Sequence, residues 1–183
     1  MMAIQERDMG EGCMFNIRKF LVFVLDGKRY AIPLQAVERV VAAVEVTPLP
    51  EETDIVAGVI NVQGQVIPVL NIRRKFRQPE RAIDLDDNIV IVAGIKGAVA
   101  FVVDAVQGVI QRREEEITPA GGLLPEMKYT EGAIKVDDDI VFVHDIDKAL
   151  SCEEKRRLET VLEKVSEDLF LRTKENDGNR MEA

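Results

Sequence analysis

Apolar and polar positions along this chain fall into short blocks, and the blocks recur. From Ala57 to Phe76 the sequence reads AGVINVQGQVIPVLNIRRKF: an apolar run, a polar tight turn, a second apolar run, then Asn, Ile and charged residues. A shift of 74 residues brings Glu131 to Leu150, EGAIKVDDDIVFVHDIDKAL, into the same order, with Gly58 on Gly132, Ile60 on Ile134, Val69 on Val143 and Ile72 on Ile146. Each copy predicts a strand, a hairpin turn, a strand and the first turn of a short helix.

The blocks before these copies match at a second offset. Phe20–Leu25 predicts a strand, Asp26-Gly27 a hairpin turn and Lys28–Ile32 the return strand, followed by a helical turn over Leu34–Arg39 and a strand over Val40–Val46. In the second half Ile89–Ala93 and Ala98–Val103 predict strands around a turn at Gly94–Gly97. A shift of 69 places Ala31, Ala36, Val37 and Val40 on Ala100, Ala105, Val106 and Val109. The difference between 69 and 74 predicts a longer loop in the second copy, around Glu114 to Pro125. Pro68 interrupts a strand and lacks the ladder N–H, so it is expected at an edge or bulge where a barrel opens.

Residues 1–16 lack periodicity and read as a flexible leader. Residues 17–150 form the folded domain, with repeated halves at about 20–77 and 88–150 around the polar stretch Gln78–Asp87. Ser151 and Glu154 have capping-box spacing, and Leu158, Val161, Leu162, Val165 and Leu169 recur at helical spacing, predicting a helix over 151–173 and a frayed tail over 174–183. Short antiparallel strands with hairpin connections bury one face best by curling. The fold class is therefore mainly β: two small five-stranded β-barrels sharing a core, plus a C-terminal α-helix.

Composition narrows the function. The chain has 183 residues, is 46% apolar and carries a formal net charge of −9, so phosphate backbones and anionic lipid repel it unless a basic patch intervenes. The one basic run is Arg73, Arg74, Lys75 and Arg77. Cys13 and Cys152 have no metal-like spacing, no signal region opens the chain, and no apolar run approaches the ~20 residues of a membrane helix. A cytoplasmic protein without membrane insertion is the expectation.

Chemistry is sparse. His144 is the sole imidazole and falls in a strand, at the position equivalent to Leu70, where a hydrogen-bonded structural histidine is the simpler reading. The trios Asp137–Asp139 and Glu114–Glu116 lack metal-loop spacing and read as solvated turns. No phosphate-binding glycine motif occurs. The expectation is a non-enzyme with no cofactor and no metal, whose business is binding protein. Val37 and Val106, equivalent in the two halves, either fill the core between the barrels or line a groove that takes a partner's helix. A small-barrel nucleic-acid binder is the rival class, disfavoured by the charge and the absence of Trp.

These blocks resemble the CheW family. GVINVQGQVIPVLNIRRKF is similar to its signature, and FLVFVLDGKRYAIPLQAVERVV, AFVVDAVQGVI and YTEGAIKVDDDIVFVHDIDKAL follow as its other blocks, together covering about Phe15 to Glu159. The resemblance implies paired five-stranded, SH3-like barrels and an adaptor without enzymatic activity. Such an adaptor couples the cytoplasmic tips of chemoreceptors to the regulatory domain of a CheA-type histidine kinase. It also implies partner-binding positions at Val37, Gly58, Gln63 and Val106, which turns the two valines toward the groove. The family has Arg at the turn where this chain has Gln63, and Asp where it has Asn71. The lost cation points to altered partner choice or to a pathway other than motility.

Overall fold

The computed structural model describes residues 16–49, 55–94, 97–120 and 130–149, with further helical positions at 154, 156, 158–160 and 163. Among the described residues the chain forms the strands and short α-helices β1 (Ile17–Leu25), β2 (Lys28–Pro33), β3 (Val37–Ala42), β4 (Val56–Val62), β5 (Gln65–Leu70), α1 (Ile72–Lys75), β6 (Asn88–Gly94), β7 (Gly97–Val103), β8 (Ala105–Arg113), β9 (Ile117–Pro119), β10 (Thr130–Val136), β11 (Asp139–His144) and α2 (Ile146–Ala149). They make a six-stranded sheet, β8-β1-β2-β11-β10-β9, and a five-stranded sheet, β3-β6-β7-β5-β4. The mainly β class stands; one sheet has a sixth strand, the three-residue β9.

The offsets read from the sequence are the offsets of the strands. A shift of 74 carries β4, β5 and α1 onto β10, β11 and α2, end residue for end residue. A shift of 69 carries the pair Val37↔Val92 onto Val106↔Phe23, and both ladders bulge at that point. Between these, Thr47 pairs with Val59 and Thr118 with Ala133, an offset of 71, so two of the five extra residues precede Thr118. The other three fall between Thr118 and β10, a stretch that includes 121–129, outside the described residues.

The halves do not each close their own sheet. The β1–β2 hairpin of the first half joins β8, β10 and β11 of the second, and the β6–β7 hairpin of the second joins β3, β4 and β5 of the first. Each exchanged hairpin meets its host through one antiparallel ladder and one short parallel one, β2 with β11 and β7 with β5. Pro68 lies inside β5, which is an interior strand. It sits one residue before the parallel ladder at Val69 and Leu70, so its missing N–H falls where that ladder gives out.

Each sheet curls on its own apolar cluster. Ile110 of β8 and Ile117 of β9, from opposite edges, meet around Phe20, Ile134 and Val143. Val41 of β3 and Ile60 of β4 do the same around Ile67, Ile89 and Ala100. A third cluster lies between the sheets, with Phe23, Ile32, Val92, Phe101, Ile72 and Ile146 at its centre and Leu158 against it. The strand expected over Val40–Val46 begins earlier, at Val37, because the turn before it is a single 3-10 turn over Leu34–Ala36. The described positions from Glu154 to Glu163 are helical; Ser151, Val161, Leu162, Val165, Leu169, residues 1–15 of the leader and the tail lie outside the described residues.

The connection between the halves is pinned by charge. Arg81 donates to both carboxylate oxygens of buried Asp87, at 2.9 and 2.5 Å, and to Asp104 at 2.8 Å. Arg73 of α1 also pairs with Asp104. Burial alone would raise the Asp87 pKa, but the bonds from Arg81 and from the Asp84 amide, with the Arg81 charge, hold it below the usual carboxylate range. A depressed carboxylate contributes stability above its unfolded pKa that is lost as pH falls through the folded value. Arg81→Ala should cost about 2 kcal/mol, less than a fully buried pair because Arg81 is 39% exposed. It should also move acid unfolding to higher pH, since Asp87 then keeps the burial and loses the cation. An unchanged acid midpoint in circular dichroism would show that the pair does not hold the connection.

Candidate functional site

Two-residue hairpins need left-handed backbone at their tips, and the β4–β5 turn supplies it at Gln63 (φ 55°) and Gly64 (φ 88°). That conformation costs a β-carbon-bearing residue of order 1 kcal/mol, so the turn holds Gln63 out in solvent at a small price in stability. Its counterpart in the second half is Asp137 (φ 56°). The turn is closed by Asn61, whose Oδ1 accepts from the Gly64 amide at 2.9 Å.

Gln63 is not isolated. Nη1 of Arg39 donates to its Oε1 at 3.2 Å, although β3 and β4 are opposite edges of the five-stranded sheet. The curl of the sheet brings those edges together. A cation therefore stands beside the turn, supplied by β3. Arg39 is a residue that the sequence reading missed; nothing in the spacing links positions 39 and 63 until the sheet curls.

Val37 opens β3 and Val106 is the second residue of β8. Both are half-buried and both pack against the cluster between the sheets, related by the internal repeat. They stand at the bulges, where the extra residues are Glu38 and Gln107. Gln107 accepts from Nε of Arg29 at 2.8 Å, and Val106 donates its amide to Asn88 Oδ1 at 3.1 Å. Core and surface are thus not alternatives for these valines. Each has one side in the shared cluster and one side at the surface.

Gly58 is buried. A β-carbon there would lie 2.4 Å from the Thr47 carbonyl oxygen and 2.7 Å from Val46 Cγ1, so the glycine lets residues 46–47 pass close to β4. Gly132 does the same for Thr118, at 2.6 Å. Val37 and Gln63 are joined through Arg39 on one sheet. Val106 stands on the other sheet and packs against the same shared cluster. Gly58 lies beneath the surface.

The remaining candidates have structural partners. His144 is buried, stacks on Phe76 at a ring separation of 4.2 Å, and its Nδ1 is 3.4 Å from Thr130 Oγ1. It occupies the place of Leu70, with Thr130 in the place of Val56. In the basic run, Arg73 pairs with Asp104, Arg74 with Glu80 at 2.5 Å and Lys75 with Glu154. Three of its four cations are therefore neutralised by carboxylates, which removes the patch that a nucleic-acid reading needs. Among the described residues no helix is long and apolar enough to cross a membrane.

Residues 19–154 match the family model described as CheW-like domain. The chain is 29% identical over 148 residues to the chemotaxis protein CheW of Klebsiella aerogenes, covering 79% of this chain and 88% of that protein. It is 31% identical over 134 residues to the CheW of Thermotoga maritima, covering 71% of this chain and 85% of the relative. In structure it is similar to the scaffolding protein TtCheW from Thermoanaerobacter tengcongensis, with a TM-score of 0.67 and 28% identity over 75% of this chain and 94% of that one.

The geometry separates packing from contact at these positions. Gly58→Ala and Gly132→Ala should each lower stability by about 1–3 kcal/mol, because the added methyl meets a backbone oxygen that cannot move alone. Denaturant unfolding of the two variants would measure this. A loss under ~0.5 kcal/mol in both would mean that the close approach is not a constraint.

Proposed function

The chain belongs to the CheW-like family, and from that premise we propose that it joins the cytoplasmic tips of chemoreceptors to the CheW-like regulatory domain of a CheA-type histidine kinase. It is a chemotaxis coupling adaptor and not an enzyme, as its family match and its relatives indicate. The partners and a cytoplasmic location are the reading offered here. The observation that carries it is the pair Val37 and Val106. They are equivalent residues from different sheets, each packed against one shared core and each half-exposed. A surface held in that way presents apolar side chains at fixed spacing, which suits a helical partner better than a mobile loop does.

Gln63 and Arg39 supply the polar neighbour of that surface, and Gly58 shapes it from beneath. With Gln63 in place of the family's arginine, the positive charge sits across the hairpin on Arg39, so the receptor or kinase that fits best is one whose anionic group is displaced accordingly. This favours a divergent adaptor with altered partner choice, in motility or in another chemosensory pathway.

The pair gives a direct test. Gln63→Arg alone sets two guanidinium groups against each other and should weaken binding of a receptor-tip fragment about fivefold, the equivalent of about 1 kcal/mol. Adding Arg39→Gln moves the single cation to the turn and should restore binding to within about twofold for receptor tips that the family arginine serves. Both side chains are exposed, so folding stability should change by less than ~0.5 kcal/mol. Isothermal titration against receptor-tip and kinase regulatory-domain fragments would measure both effects. Failure of the native chain to bind either fragment would overturn the adaptor partners themselves, and equal binding by all variants would remove the Arg39–Gln63 pair from the interface.

A further inference from the structure

The two equivalent valines have their backbone amides held by different means. In the first half a 3-10 turn over Leu34–Ala36 leads into β3, and the Val37 amide donates to the carbonyl of Leu34. In the second half a single residue, Asp104, separates β7 from β8, which leaves no room for the equivalent turn. The Val106 amide donates instead to a side chain, Oδ1 of Asn88, at 3.1 Å. The first half has no counterpart of this bond, because the offset of 69 places Lys19 where Asn88 stands, and an ammonium offers no acceptor.

Asn88 is a firm support for that amide. Its backbone is fixed from both sides, by ladders with Ala42 of β3 and Val103 of β7, and its neighbour Asp87 takes two bonds from Arg81. The strand it supports is less constrained. Gln107 drops out of the β1 ladder between the pairs Phe23↔Val106 and Val22↔Gly108, and Gly108 beside it has a φ of 116°. The strand β6 that begins with Asn88 also carries Val92, the ladder partner of Val37. One part of β6 therefore holds the valine of its own sheet through backbone pairing, and its first residue holds the valine of the other sheet through a side chain.

We propose that Asn88 is a positioning residue of the partner surface: by holding the Val106 amide on β6, it sets where Val106 stands relative to Val37. The inference rests on the adaptor reading and adds to it a residue that acts through Val106 and not by contact. Without the bond, Val106 is held only at the margin of the bulge, and its peptide can turn the side chain out of the orientation that divides it between the shared cluster and the surface. Val37 keeps both its turn and its ladder, so the change falls on one side of the surface alone.

The test is a set of double-mutant cycles on the full chain, read by titration against receptor-tip and kinase regulatory-domain fragments. Asn88→Leu has nearly the size of Asn and no acceptor. It should weaken, about fivefold, binding of the fragment that Val106→Ala also weakens. The same loss should appear in a Val37→Ala background and shrink to within about twofold in a Val106→Ala background. Asn88→Asp keeps an oxygen at that place and should bind within about twofold of the native chain. Amide hydrogen exchange gives a reading that needs no partner. Exchange at Val106 should quicken about tenfold in Asn88→Leu and stay within about twofold in Asn88→Asp, with Val37 unchanged in both. Should Asn88→Leu fail to fold, Asn88→Ser, which withdraws the oxygen, replaces it in every arm. Unaltered exchange at Val106, unaltered binding despite faster exchange, or a loss that persists in the Val106→Ala background would each overturn the proposal. So would a Val106→Ala chain that binds both fragments as the native chain does. Binding of neither fragment by the native chain would overturn the adaptor reading, and the partner role of Asn88 with it.

Discussion

The exchange of hairpins between the two halves is the constraint on which the rest of the structure depends. Because β1–β2 belongs to the sheet of the second half and β6–β7 to that of the first, neither half can bury its apolar face alone. The cluster around Phe23, Ile32, Val92 and Phe101 is then more than an interface between two finished units. It is filled by the same exchanged hairpins whose other faces fill the cores of the individual sheets. Sliding one sheet against the other would disturb all three clusters together, and packed cores resist such continuous deformation. The proposed partner surface, with residues on both sheets, would need little further ordering on binding.

Within this duplicated frame the two halves have diverged in chemistry while keeping register. The position of Leu70 is held by His144, and its cross-strand neighbour Val56 by Thr130, so an apolar contact has become a polar pair packed on Phe76. The aromatic contact of Phe23 with Phe101 faces the aliphatic pair Ile32 and Val92 across the internal two-fold. The backbone tolerates these changes because the bulges and the two close-approach glycines, Gly58 and Gly132, fix the strands independently of the side chains that differ.

The sequence carried the strands and the repeat well, for a physical reason. Alternation with period two and a turn dipeptide such as Asp26-Gly27 are local signals, and the 69 and 74 offsets follow from comparing local signals. It did not carry the exchange. Alternation tells which face of a strand is buried and says nothing of which strand lies beside it, so two self-contained barrels and two interlocked ones have the same pattern. The candidate site shows the same limit. Gln63 was visible because it breaks a motif, and the valines because they repeat. Arg39 was invisible because its meeting with Gln63 depends on the curl that joins opposite edges of a sheet. Gly58 was visible as a special position, but only the 2.4 Å approach to Thr47 distinguishes packing from contact with a partner.

The turn at Gln63 joins these points. A hairpin tip in left-handed backbone favours Gly, Asn or Asp, and this one holds a longer polar side chain that gains a hydrogen bond only because β3 arrives beside it. The position of β3 is set by its ladder with β6, an exchanged strand from the other half. Gln63 is therefore oriented, through Arg39 and β6, by the second half of the chain, although every residue of its own hairpin comes from the first. The charge at this corner and the valine that opens β3 move with the same ladder. A substitution in β6 that shifted its register would displace Val37 and the Arg39 guanidinium together, so the apolar and cationic parts of the proposed surface form one element, and neither can be retuned by moving that ladder without the other.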